Sequence, residues 1–266
     1  MDLKIASISA FADHLAMNGM SENTIRSYRT ALTDLVLCVD LAQPLEAQAA
    51  RYLTARRGIW SPKTTVCRLT AFRSYAKWAG EPAFLASYKA PTPPRPIPHP
   101  IPEGIDGVLR MLALTKTPTH AALVAFTGLL GLRVGEARSV TLASVNELER
   151  TLTIRGKGDR SRTIPISTHA WDAIRPALRL AAPFRPIVDL PDRTARQALT
   201  SLGKRAGLTR RISSHDMRAT LATAAYNGTR DLRVVQELLG HASSSTTECY
   251  TQVSQQAMRG ALEGVA

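Results

Sequence analysis

The sequence predicts a mostly α chain with a small β component, made of a helical N-terminal domain and an α+β C-terminal domain. Three observations predict it. Apolar residues recur at helical spacing between recognisable caps through residues 7–80. Seven prolines then fall between Pro91 and Pro102. Beyond them, one pair of short alternating segments, TLTIR and SRTIPI, interrupts a pattern that otherwise reads as helix.

The elements follow in order. SISAFADHLAMNG closes at Gly19, and SENTIRSYRTALTDLVLCV opens with Ser21 as N-cap. EAQAARYLTARRG ends at Gly58. SPKTTVCRLTAFRSYAKWAG begins with Ser61 as N-cap and Pro62 at the first helical position, where a missing N–H costs nothing, and stops at Gly80. In this last helix Val66, Leu69, Phe72 and Ala76 recur at helical spacing, so Lys63, Arg68, Arg73 and Lys77 are expected to face outward. A basic helix face can track phosphates or enter a DNA groove, or it can be an ordinary solvated face. The residues alone leave both open.

The proline run APTPPRPIPHPIPEG cannot be helix or central strand, because proline fixes φ and lacks a backbone donor. Residues 89–103 are therefore expected to be an extended, semi-rigid linker between domains at 1–88 and 104–266. In the second domain, helices are expected near 104–114, 119–131, 134–139, 168–181, 193–206, 215–227, 231–239 and 243–250. TLTIR and SRTIPI alternate as strands, with GKGD turning between them, which puts Lys157 at a hairpin tip. GKG lacks the spacing of a phosphate-cradling P-loop.

Arg and Lys outnumber Asp and Glu by 34 to 21, a formal charge of +13. That excess points to a polyanionic partner, most simply nucleic acid. It is uneven: residues 1–88 hold 10 basic and 7 acidic side chains, and residues 89–266 hold 24 and 14. Arginine dominates, which suits bidentate phosphate contacts. Cys38, Cys67 and Cys249 are far apart and form no C-x-x-C, which argues against a disulfide framework or a zinc site and fits a reducing compartment. No charged and then apolar leader opens the sequence, and the apolar run HAALVAFTGLLGL is too short to span a bilayer. The expectation is a soluble, cytoplasmic, DNA-associated protein with no membrane partner.

The chemistry is concentrated in the C-terminal part. TGLLGLRVGEA supplies Arg133 and Glu136, and IRGKGDRSRTIPI supplies Lys157 and Arg160. SSHDMRAT holds His215 and Arg218 as H-x-x-R. LLGHASSSTTECYTQV holds His241 and, nine residues later, Tyr250. An Arg–Lys–His–Arg–His–Tyr set in a basic chain suits cleavage of a phosphodiester by a tyrosine nucleophile. Transfer at phosphorus concentrates negative charge on two non-bridging oxygens, which fixed guanidinium donors stabilise. A sugar 5′-oxygen leaves poorly without a proton. A free tyrosine has a pKa of about 10, which nearby arginines lower. No H-E-x-x-H or partner cysteine points to a metal, and no cofactor is implied.

From Gly104 to Val253 these motifs, in their order and spacing, resemble the catalytic domain of the tyrosine recombinases, the phage-integrase family, and residues 7–86 resemble that family's helical core-binding domain. The resemblance implies roles. Arg133 and Arg218 bind the phosphate, and Glu136 supports them from behind. Lys157 is the general acid, His215 an acid/base, His241 a further brace on the phosphate, and Tyr250 the nucleophile. It also favours DNA contacts by Lys63, Arg68, Arg73, Lys77 and Arg160. One departure stands out: family members commonly carry a histidine after the second arginine, where this chain has Ala219.

The expected function is a site-specific DNA recombinase working through a 3′-phosphotyrosyl intermediate and a Holliday junction, as a homo-tetramer on two duplexes. The alternatives are a type IB topoisomerase-like or hairpin-forming enzyme, or a catalytically inactive DNA-binding regulator. The chain starts almost directly at the core-binding helices, leaving no room for an arm-binding domain, so a short crossover site is expected. The chain does not say whether an accessory DNA-binding factor takes part. In the tail, Val253, Ala257, Met258, Ala261 and Leu262 share one helical face. The resemblance implies that this face docks on a neighbouring protomer.

Overall fold

The computed structural model describes residues 5–40, 43–94, 99–155 and 161–240. The chain divides into two compact units, Met1–Arg95 and Pro96–Ala266. The first holds helices α1 (Ile5–Met17), α2 (Glu22–Val36), α3 (Leu45–Thr54) and α4 (Pro62–Trp78). The second is mixed. It contains α5 (Gly104–Ala113), α6 (Pro118–Val124), α7 (Val134–Ala137), α8 (Thr168–Leu180), α9 (Asp192–Arg205), α10 (Ser214–Thr229) and α11 (Leu232–Leu239). A three-stranded antiparallel sheet, β1 (Val145–Asn146), β2 (Thr151–Arg155) and β3 (Ser161–Pro165), lies between α7 and α8 in sequence.

The first unit forms where the caps predict. Ser21 Oγ accepts the Thr24 N–H at 3.3 Å, and Ser61 Oγ accepts the Thr64 N–H at 3.2 Å, each satisfying a donor that the first helical turn leaves over. Phe11, Leu32, Leu35, Leu53, Leu69 and Phe72 are buried around Tyr75, whose ring meets Phe11 edge-on at 5.3 Å. The Tyr75 hydroxyl donates to Ser7 Oγ at 2.7 Å, so this buried phenol stays hydrogen-bonded.

The basic face expected of α4 is corrected in two places. Lys63 and Lys77 are exposed, but Arg68 and Arg73 turn into the unit. Arg68 pairs with Asp34 at 2.6 Å and donates to the Thr30 carbonyl at 3.2 Å. Arg73 donates to the carbonyls of Leu85 and Tyr88 at 2.7 and 3.0 Å. The long arginine stem lets a charge placed at an outward register position reach carbonyls beside the core. Leu85 is buried with φ +57, a conformation a branched side chain rarely takes. Its N–H donates to Glu46 on α3 at 2.7 Å, and its carbonyl holds Arg73 on α4.

In the second unit the helix expected over 119–131 runs continuously over 118–129 but changes its hydrogen-bond pattern on the way. α6 ends at Val124, and Ala125–Leu129 forms a π-helical turn. Gly128 packs so closely that a Cβ there would sit 2.6 Å from Val108 and 2.7 Å from Met217. The widened turn gives this close approach and leads into Gly131, at φ +67, which aims the chain towards Arg133. β2 and β3 pair Leu152 with Ile164 and bury both, while Thr153 and Thr163 meet on the exposed face. Ile101, at the end of the proline run, is buried, and its N–H donates to Thr220 Oγ1 at 2.8 Å. Among the described residues no helix is long and apolar enough to cross a membrane.

Candidate active site

R-x-x-E is the spacing of a helix N-cap and its third residue. Arg133 is the N-cap of α7, with extended backbone, and the Glu136 carboxylate reaches back from the third helical position to its N–H. The Arg133 N–H donates to Glu136 Oε2 at 2.9 Å, and Arg133 Nη1 donates to Oε1 at 2.8 Å. The carboxylate is nearly enclosed, whereas 52% of the Arg133 side chain is exposed. Arg133 is thus held at its root and presented at the surface.

Arg218 reaches the same carboxylate from α10, with Nη1 3.8 Å from Glu136 Oε2. It is 1% exposed. Nη1 also donates to the Gly131 carbonyl, at the turn that follows the π-helical segment, and Nη2 to the Leu239 carbonyl at 2.6 Å. Leu239 ends α11, where unsatisfied carbonyls carry the negative end of the helix dipole, a favourable place for a guanidinium. The two arginines are therefore not equivalent: one is half exposed and the other is buried.

A third arginine, missed in the sequence, completes the cluster. Arg162 of β3 donates from Nη1 to Glu136 Oε1 at 3.3 Å and from Nη2 to Oε2 at 3.0 Å, and from Nε to the Leu238 carbonyl at 3.2 Å. The signal was present. Arg162 shares strand parity with Ile164 and Ile166, both buried, so the alternation that marks the strand also turns this arginine inward. Burial pushes the Glu136 carboxyl up. Hydrogen bonds from Arg162 and the Arg133 backbone, with the charges of both arginines, outweigh it and hold the group below the ordinary carboxylate value. Three guanidinium groups around one carboxylate leave two net positive charges in one place.

His215 lies in the first turn of α10, three residues before Arg218, and is exposed. Its turn is fixed by a capping box, in which the Ser213 N–H donates to Asp216 Oδ2 at 2.6 Å and the Asp216 N–H to Ser213 Oγ at 3.4 Å. Burial raises the Asp216 pKa, but bonds from Arg210 and Ser213 more than reverse this and keep it low. Ala219, at the position where the sequence departs from the family pattern, is buried beside Ala222, Val235 and Leu239, a setting that suits a methyl group.

Lys157, Arg160, His241 and Tyr250 lie outside the described residues. So do Cys249, the helix expected at 243–250, and the tail residues Val253, Ala257, Met258, Ala261 and Leu262. Their attachment points are described. Arg155 pairs with Ser161 across the 156–160 connection, and Gly240, left-handed at φ +64, precedes His241. Among the described residues no group of three or more His, Cys, Asp or Glu side chains could hold a metal. An open cleft of about 600 Å³, lined by Arg196, Lys204 and Arg211 among others, contains no member of the Glu136 cluster.

Known proteins are similar to this chain in sequence and in fold. The model of the phage integrase family matches residues 106–257. The tyrosine recombinase XerC of Xanthomonas campestris pv. campestris is 30% identical over 283 residues, covering 95% of this chain and 85% of that protein. The tyrosine recombinase XerD of Mycobacterium tuberculosis is 32% identical over 295 residues, covering 95% of this chain and 94% of its own. In fold, the chain is similar to the XerH site-specific recombinase solved with a palindromic difH substrate in a post-cleavage complex. The TM-score is 0.73 at 17% identity, over 97% of this chain and 84% of that one.

Proposed function

The chain belongs to the phage integrase family and is a tyrosine recombinase, and from that premise we propose the reaction its residues carry out on double-stranded DNA. The Tyr250 hydroxyl gives its proton to His215, and its oxygen attacks a backbone phosphorus. The bond from phosphorus to the 5′-oxygen breaks, and Lys157 supplies the proton that the departing 5′-hydroxyl takes. The product is a 3′-phosphotyrosine, which keeps the energy of the broken ester. A 5′-hydroxyl from another strand then attacks phosphorus and releases the tyrosine. Two such exchanges pass through a Holliday junction. Rejoining needs no nucleotide cofactor.

Arg133, Arg218 and His241 face the non-bridging oxygens. The attack adds a negative charge at phosphorus, and preorganised donors stabilise that charge most in the transition state. The observation that supports this reading best is the convergence on Glu136 of two arginines 85 residues apart in sequence. Lys63, Lys77 and Arg160 contribute phosphate contacts. Four protomers hold two short crossover sites, coupled through the apolar tail face, and the protein works in the cytoplasm on DNA. Tyr250→Phe tests the core of the proposal. The variant should still bind a nicked duplex carrying a site selected from a random pool by the wild-type chain, yet form no denaturant-stable adduct with it. Strand cleavage by the variant would refute the assignment.

A further inference from the structure

Arg162 has no part in the reaction as set out above, yet it makes the most complete contact with Glu136. It spans both carboxylate oxygens with its two terminal nitrogens. The pair is more enclosed than Arg133 with Glu136: side-chain exposures are 13% and 9%, against 52% for Arg133. Its Nε is spent on the Leu238 carbonyl, at the end of α11. The neighbouring backbone is shaped to it, since a Cβ on Gly240 would lie 2.7 Å from Arg162 Cδ and 2.8 Å from its Nη1. These contacts commit the guanidinium to protein partners.

We propose that Arg162 is a positioning residue that acts through Glu136, holding the carboxylate in place so that Arg133 and Arg218 are aimed at the phosphate without being neutralised. The inference rests on the recombinase reading. A carboxylate shared by Arg133 and Arg218 alone would have to offset their charge. With Arg162 also bonded to both of its oxygens, the cluster keeps two net positive charges, opposite the two negative charges that a phosphodiester bears when a phenolate has added to it. The arginine also ties β3 to the end of α11, fixing Leu239, whose carbonyl holds Arg218. A lysine could supply the charge but not the fork.

The test measures adduct formation on the same nicked duplex, in single turnover, from mildly acidic to neutral pH. Arg162→Gln should bind the duplex like wild type but cleave about 10–100-fold more slowly, the range seen when groups that orient metal ligands are removed. Its rate should also fall further at acid pH than wild type's, because Glu136 loses the donor that opposes its burial. Arg162→Gln combined with Glu136→Gln should be no slower than the slower single variant and should lose the added acid sensitivity. Arg162→Lys should restore the pH profile but only part of the rate. Gly240→Ala, which leaves every charge in place and pushes on Arg162, should show a partial loss. A wild-type rate for Arg162→Gln, or losses that multiply in the double variant, would overturn the proposal. If Arg162→Gln does not fold, Arg162→Lys and Gly240→Ala decide it: wild-type rates in both would overturn it. Wild-type chain that forms no adduct would instead bring down the recombinase reading and this inference with it.

Discussion

Glu136→Gln keeps the size of the side chain and removes its charge. In the folded protein the carboxylate accepts from the Arg133 N–H and Nη1 and from both terminal nitrogens of Arg162, lies 3.8 Å from Arg218, and is 9% exposed. Without the charge, three guanidinium groups face one another around a neutral amide. Removing one partner of a buried ion pair costs about 3–5 kcal/mol, and the amide oxygen still accepts one or two of the bonds, so about 3 kcal/mol is expected. In a unit of this size each kcal/mol moves the midpoint by about 2–4 °C, so Tm should drop by about 6–12 °C at neutral pH. The pH dependence carries the sharper signature. Glu136 is held below its ordinary value of 4.5 in the folded state, so its contribution is complete above that value and is lost as pH falls through the depressed one. The gap between wild type and variant, followed by scanning calorimetry, should therefore be level from about pH 8 to about pH 6 and close at acid pH. A neutral-pH gap under about 1 °C, or one that widens towards acid, would refute the reasoning.

Lys157→Ala should cleave an ordinary phosphodiester poorly and a 5′-bridging phosphorothiolate nearly normally, because a thiolate leaves without a proton; equal loss on both substrates would reject the acid role. Affinity of the intact chain for duplex DNA should fall by about 10³–10⁵ between low and moderate salt if 6–10 phosphates are contacted, measured as the slope of log K against log salt. Gly131→Ala puts a Cβ 2.9 Å from Leu221 and Leu239 at φ +67. It should lower stability by about 1–3 kcal/mol and slow cleavage by displacing the carbonyl that holds Arg218, both readable from unfolding and single-turnover rates.

The sequence exposes local decisions well and long-range ones poorly. Ser21, Ser61 and Pro62 mark helix starts because capping is settled within four residues. The π-helical turn at Ala125–Leu129 is not legible, because Val108 and Met217, which pack against Gly128 in it, come from elsewhere in the chain. R-x-x-E and H-x-x-R can be read as motifs because each sits within one turn of helix. That Arg218 is buried and bound by Gly131, 87 residues away, cannot be read from the motif. Arg162 lies between these cases: strand parity points it inward, but nothing local names Glu136 as its partner. Arg68 and Arg73 mislead for the same reason, since their partners lie on α2 and in residues 85–88.

The left-handed turn at Leu85 decides where the N-terminal unit can be cut. α4 ends at Trp78, which invites a graft there. Such a splice would remove the carbonyls that receive Arg73, leaving a half-buried cation with nothing to hold, and the N–H that Glu46 accepts. Phe84 and Leu85, both buried, would leave a hole in the core beside α3 and α4. A transplantable N-terminal module therefore carries residues 81–88 with its helices and is joined downstream of Tyr88, in the stretch where proline already excludes helix.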